Sequence, residues 1–237
     1  MKAISIQKAE AGNAMIYVLI VVALFAALSF ALSRNGNDEA STLAPERINV
    51  YASQIIATAN GMKQGVDQAV YSGSRISDLN FCLPGEICFT SAPLSNNVFH
   101  PDGGGMLRPR LQAEAINEVD NNPEPGWYIG RFNNVDWTDT AAQDVIVTAH
   151  QIRQDVCARI NELLTGSTAI PPLTVDINKI LIDAARHTNT PNVDLTAVNC
   201  PDPDAAGPLE GCSGKSALCV VNAAGTIWSY YSVIEQQ

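Results

Sequence analysis

The sequence predicts an α+β protein: an N-terminal transmembrane helix, then a helix packed on a small antiparallel sheet, the whole loop-rich and disulfide-braced. Three observations carry this expectation. Ala14 to Leu32 runs nineteen residues without a charge. A stripe of apolar residues at helical spacing follows between Ile48 and Ala69. Six cysteines, all beyond the apolar run, are interleaved with β-prone stretches that end in a hairpin pattern. The expected division is a leader over 1–12, a transmembrane helix over 13–34 and an exported head over 35–237.

The apolar run reads AMIYVLIVVALFAALSFAL, and its only polar side groups are the Tyr17 and Ser29 hydroxyls. At about 1.5 Å rise per residue a helix of this length reaches roughly 30 Å, the thickness of a hydrocarbon core. Lipid offers no partner to backbone amides, so a run in the bilayer must be helical. Three fates compete: a retained signal anchor, a secretory signal cut near Ala31-Leu32-Ser33, or a prepilin-type segment that loses a short basic leader and keeps its helix. A secretory apolar core normally runs only about 7–15 residues, which counts against the second. Lys2 and Lys8 precede the helix and favour a cytoplasmic N-terminus; Arg34 weakens that bias, but Asp38 and Glu39 follow closely.

The leader MKAISIQKAEAG ends in Gly12, directly before the run. This arrangement resembles the class III leader of type IV pilins and type II secretion pseudopilins. GNAMIYVLIVVALFAALS, taken with the later VFHPDGGG, is similar to a group of bacterial pilin-like proteins. The resemblance implies cleavage after Gly12 by a prepilin peptidase, which methylates the new N-terminus at Asn13. It implies a bacterial inner-membrane protein with a periplasmic or extracellular C-terminal domain, whose partners are the membrane and other pilin-like subunits. Two positions depart from the family pattern. Asn13 stands where an apolar residue, often Phe, is usual, and Tyr17 stands where the fifth mature residue is usually Glu. That Glu is thought to pair with a neighbour's N-terminal amine, and a tyrosine does not ionise near neutral pH. The tip pseudopilin of type II secretion also lacks it, so Tyr17 argues against a major filament subunit more than against the family. Packing between such helices depends on close van der Waals fit; Ala23, Ala26, Ala27 and Ser29 are the small residues that would allow it, and Tyr17 is a further packing position on the same helix.

Setting aside Lys2, Lys8, Arg34 and Glu10 leaves 11 basic and 23 acidic residues beyond the helix, a net charge of −12. Such a surface repels phosphate backbones and anionic headgroups, so no nucleic-acid partner is expected. After Gly36 and Asn37 a second helix is predicted to start near Ser41 or Thr42, either of which can cap it, with Pro45 tolerated in its first turn. Ile48, Ala52, Ile55, Ala59, Met62, Val66 and Ala69 form its buried stripe, widened by Tyr51, Ile56 and Val70. It should end around Tyr71-Ser72-Gly73.

Phe81 to Gly130 reads as loop. Asn97 to Gly105 holds His100, Asp102 and three glycines, which in principle could bind a metal or an anion. Too few ligands lie nearby for a metal, and no Lys-Ser or Lys-Thr follows the glycines, so a tight turn over the sheet is expected. Trp127–Phe132 and Asp144–Ala149 read as strands. A helix is expected from about Gln151 to Leu164 with Ile152, Val156, Ile160 and Leu163 buried, Cys157 beside that face, His150 just ahead and Gly166 as a stop. Val175–Ala185 reads as a short helix burying Ile177, Ile180, Leu181 and Ala184, and Asn199–Pro208 as surface loop. Ala217–Val221 and Thr226–Ile234, joined across Asn222–Gly225, predict an antiparallel hairpin.

An even number of cysteines outside the cytoplasm points to three disulfides among Cys82, Cys88, Cys157, Cys200, Cys212 and Cys219. The spacings lack paired CxxC geometry, which disfavours zinc. Sequence leaves the pairing open; nearness favours Cys82–Cys88 and Cys212–Cys219, with Cys157–Cys200 as the remainder. His100, His150 and His187 are scattered, Asp202 and Asp204 read as solvated loop acids, and no nucleophile elbow, zinc helix or dinucleotide fingerprint occurs. No catalytic residue, metal or cofactor is expected. The expected function is a structural pilin-like or minor pseudopilin-like subunit of a cell-surface or secretion filament; the rival is a membrane-anchored binding or adhesion module that does not polymerise.

Overall fold

The computed structural model describes residues 11–35, 44–187, 191–201 and 211–236, and within 11–35 the side chains of 16–27 and 29. The rest of the leader, the caps expected at Ser41 and Thr42, and Asp202 and Asp204 lie outside the described residues. The chain divides into two compact units, 1–45 and 46–237.

The first unit holds α1, Ala11–Asn35, of 25 residues. At 1.5 Å per residue it is about 37 Å long. Among the described residues no helix is long and apolar enough to cross a membrane.

The second unit is an α+β head built on a four-stranded antiparallel sheet, in the order β1-β2-β4-β3. The strands are β1 Gly126–Asn133, β2 Asp144–Ile152, β3 Ala217–Val221 and β4 Trp228–Glu235. β3 and β4 form the expected hairpin, with Gly225 left-handed in the turn and the Asn222 side chain accepting from the Thr226 and Ile227 amides. β2 is buried at all nine positions, so both faces of the sheet are covered.

Helix α2, Pro45–Tyr71, covers one face. Pro45 opens it, where a missing N–H costs nothing, and Glu46 sits at the positive end of its dipole. Ala52, Ile55, Ala59, Met62, Val66 and Ala69 are buried as their spacing requires, joined by Gly65, while Ile48, expected in the same stripe, is only half-buried. Ile55 and Met62 border Trp127 of β1 in adjoining grooves, and Lys63 Nζ reaches Glu235 Oε2 of β4 at 2.8 Å. The helix closes on Gly73 at φ +103, with Ser74 N–H donating to Ala69 O and Gly73 N–H to Val70 O, a Schellman ending.

Helix α3, Gln154–Thr165, lies against β3 and β4 on the same side as Cys219 and ends at Gly166 with φ +80. The expectation for this region needs correction at both ends. Ile152 belongs to β2, which continues through a bulge between His150 and Ile152 and pairs Ile152 with Trp228. The bulge residue Gln151 has φ 58, the one described non-glycine residue with positive φ. It is held there because its amide accepts from the Val119 and Asp120 N–H groups and donates to the carbonyls of Asp120 and Pro123. Because α3 begins only after this bulge, its buried face is Val156, Cys157, Ile160 and Asn161, and Leu163 is exposed.

The opposite face carries Ile146, Leu218, Val220, Tyr231 and Phe132, packed against α4 (Ile177–Leu181) and the segment around Leu173 and Leu195. Helix α4 is shorter than expected. Asp176 caps it through the Asn178 amide, and Ile182 leaves it in extended conformation, so Ala184 lies beyond it.

The six cysteines form three disulfides: Cys82–Cys88, Cys157–Cys219 and Cys200–Cys212. Cys82–Cys88 is as expected; the other two pairings are corrected. Cys212 and Cys219 are close in sequence but meet opposite faces of the sheet. Cys212 lies with Cys200 in the α4-side core, while Cys219 points from β3 to α3. No local bridge can pass through the strand.

Loop-closure entropy rises with the chain enclosed, so Cys157–Cys219, spanning 62 residues, should matter most and Cys82–Cys88, spanning 6, least. Replacing both members by Ala should cost about 4 kcal/mol for the first and about 2.4 kcal/mol for the second. Urea midpoints of the two variants rank them, and peptide mapping that joined Cys212 to Cys219 would overturn the pairing.

Candidate functional site

In the first unit the candidate site is the surface of α1. Every described side chain from Ile16 to Ala27, and Ser29, is exposed; Tyr17 stands at 65% and Phe25 at 69%. Twelve consecutive residues exceed three turns, so apolar groups face outward all round the helix rather than along one stripe. At about 100° per residue, Ala23, Ala26 and Ala27 share one side, Ser29 flanks it, and Tyr17 lies off its other edge. The small residues thus form one low strip on an otherwise bulky apolar surface. Gly12 and Asn13 lie in the first turn of α1.

In the head, the glycine-rich loop resolves into packing. Gly103 N–H and Gly105 N–H both donate to His100 O, Gly104 N–H to Asn97 O, and Met106 N–H to Val98 O. All four amides are used internally, which leaves none to cradle an anion. A Cβ on Gly103 would strike the Asn97 carbonyl, and one on Gly104 the carbonyls of Gly65 and Val98. The loop therefore docks backbone-to-backbone on α2, not over the sheet as expected. His100 Nδ1 accepts from Asp102 N–H at 3.1 Å, so that nitrogen's lone pair is committed within the turn.

The other histidines are interior. His150 is buried on β2 with Nδ1 2.9 Å from Ser229 Oγ and its ring edge-on to Tyr128. A serine beside a histidine invites comparison with a nucleophile and its base, but both are 0% exposed and neither lines a described groove. His187 Nε2 lies 2.9 Å from Ile182 O. Among the described residues the one grouping of three metal-type ligands is Cys82, Glu86 and Cys88, whose sulfurs are bonded to each other.

Three grooves border β1, two of them of appreciable volume. One, of about 320 Å³, runs between α2 and residues 110–115 and is bordered by Tyr51, Ile55, Leu111 and Trp127. The other, of about 470 Å³, lies between the Cys82–Cys88 loop and Asp183–Arg186, where Arg186 pairs with Glu86 at 2.6 Å. Neither brings together a nucleophile, a base and a third orienting group.

Burial lowers the His150 pKa from 6.5 to about 3; Asp120 opposes the shift and His187 adds to it. Between these values the unfolded chain holds a proton that the folded chain does not. Stability is therefore full above about pH 6.5 and falls as pH drops toward 3. Asp144, whose pKa is raised by burial, works in the opposite sense. His150→Gln should flatten the acid limb of a plot of unfolding free energy against pH, and an unchanged limb would remove His150 as its source.

No protein family, curated protein or solved structure matches the chain.

Proposed function

We propose that this protein is a pilin-like or minor pseudopilin-like structural subunit of a bacterial cell-surface or secretion filament. In this reading α1 anchors it in the inner membrane before assembly and then packs against the helices of neighbouring subunits. The supporting observation is the outward apolar surface of α1 on all sides, a surface that water does not tolerate over such a length and that lipid or other apolar helices would cover. A head crosslinked by three disulfides fits an oxidising compartment beyond the membrane. The strip of Ala23, Ala26 and Ala27 gives close van der Waals approach between helices, which is the main attraction available inside lipid. Head loops rather than an active site would supply the contacts between subunits.

A second reading, an anchored periplasmic binding or adhesion module that does not polymerise, is favoured by one residue. Tyr17 occupies the position where a filament subunit would carry the carboxylate that meets its neighbour's amine.

Processing tests the family assignment. Intact-mass measurement should give a chain starting at Asn13, N-methylated and six hydrogen atoms lighter than its reduced form; Gly12→Leu should retain the leader. A start at Met1 or at Arg34 in the wild type would reject it.

Assembly separates the two readings. Ala23→Phe or Ala27→Phe should impair crosslinking to pilin-like partners and recovery in sheared surface fractions, while leaving membrane insertion intact. A wild type that stays wholly in the membrane and crosslinks to no such partner under filament-forming conditions supports the anchored module instead.

A further inference from the structure

The connection between β1 and β2 places an unusual number of oxygen atoms around one hydroxyl. Thr138 Oγ1 lies 2.8 Å from Val135 O, 3.0 Å from Asp144 Oδ2, 3.4 Å from Thr140 O and 3.5 Å from Asn134 Oδ1. A hydroxyl has one proton, so four acceptors converge on a single donor. Asp144 Oδ2 takes a second bond from Val135 N–H at 3.0 Å. Its other oxygen, Oδ1, is buried and has no partner among the described residues, although Asp144 as a whole is 0% exposed. Both oxygens share one carboxylate carbon, so Oδ1 borders the same cluster. A buried carboxylate oxygen without a partner is costly.

No cationic side chain compensates it among the described residues. Among the described residues no salt bridge reaches Asp144, and residues 133–144 contain Asp136, Asp139 and Asp144 but no Lys or Arg. Asp194 adds further negative charge at the edge of the connection, where its Oδ1 accepts from Asn134 N–H at 2.8 Å. The donors are carbonyl, hydroxyl, amide and carboxylate oxygens, with no sulfur or imidazole. That set suits a hard cation, and its irregular arrangement suits Ca²⁺, which accepts six to eight oxygens in flexible geometry, better than Mg²⁺, which demands a near-ideal octahedron.

We propose that the β1–β2 connection is a Ca²⁺ site, formed by Asn134 Oδ1, Val135 O, Thr138 Oγ1, Thr140 O and the Asp144 carboxylate, with Asp194 at its rim. The ion neutralises the buried Asp144 and gives its free oxygen a partner. It also braces the connection against the 194–195 segment, which already pairs with it through Leu195 N–H to Asn134 O and Asp136 N–H to Leu195 O. This proposal does not depend on filament assembly.

Trp137 lies within the connection, its indole N–H donating to Lys215 O at 3.0 Å, and serves as an antenna for Tb³⁺ standing in for Ca²⁺. The full chain in detergent micelles, excited at tryptophan, should show saturable Tb³⁺ emission. Ca²⁺ should displace it with a Kd of about 10⁻⁵ to 10⁻³ M, and the same concentration of Mg²⁺ should not. Ca²⁺ should also raise Tm. Asp144→Asn should weaken Ca²⁺ at least about tenfold. Should that variant fail to fold, Asn134→Ala combined with Asp194→Asn removes one donor and one rim charge without touching the buried carboxylate, and should weaken Ca²⁺ as well. Two results overturn the proposal: no saturable Tb³⁺ emission, or a Ca²⁺ effect on Tm that Mg²⁺ matches and the variants leave unchanged, which is screening of the chain's net charge of −10.

Discussion

The head depends on the burial of β2. A strand covered on both faces gives up water along its whole length, so each polar group it carries must be met from within the protein. Thr148 meets this by donating to Leu181 O on the α4 side, and His150 by facing Ser229 across the strand pair. Gln151, on the bulge, uses its side-chain oxygen and nitrogen twice each, and thereby ties residues 119–123 to the sheet. Two atoms of β2 are exceptions among the described residues: His150 Nε2 has no partner, and Asp144 has one oxygen satisfied twice and the other unpartnered. The layers follow from the same constraint, since α2 and α3 have to close one face and the α4 segment the other.

The edge at β3 is closed by similar means. Asn161 of α3 accepts from Cys219 N–H and donates to Cys219 O, so one side chain satisfies both backbone groups of an edge-strand residue. Farther along, Leu173 N–H donates to Val221 O and Val221 N–H to Pro171 O. An edge occupied in this way offers little template to another strand. The Cys157–Cys219 bridge lies between the same two elements and fixes the distance at which Asn161 works. This also accounts for the rotation of α3 about its axis. An asparagine with a defined task takes the position that pure hydrophobicity would assign to leucine.

The two units obey opposite rules. In the head, the core is apolar and Asp144 is the one buried acid among the described residues, and the glycine loop is consumed in holding α2. In α1 the described apolar groups are outside on every side, with no core of their own to enter. A helix of that kind is completed by what surrounds it, and the proposed function follows from that requirement rather than from any cleft in the head.

The sequence by itself determined whatever depends on neighbours along the chain. The stripe from Ala52 to Ala69, Pro45 at the start of α2, Gly166 at the end of α3, the β3–β4 hairpin and the Cys82–Cys88 loop were all legible, because each is set by local periodicity, capping or turn chemistry. Tertiary structure decided what depends on the two sides of the sheet. Nearness in sequence joined Cys212 to Cys219, but a strand turns alternate residues to opposite faces, and these two cysteines belong to different cores. Periodicity alone also drew Ile152 into α3, since nothing local reveals that Gln151 will be held at φ 58 by a loop some thirty residues earlier. The oxygen cluster around Thr138 was missed for the same reason. Its members are a side-chain amide, two backbone carbonyls, a hydroxyl and a strand carboxylate, and only the folded turn brings them within reach of one another.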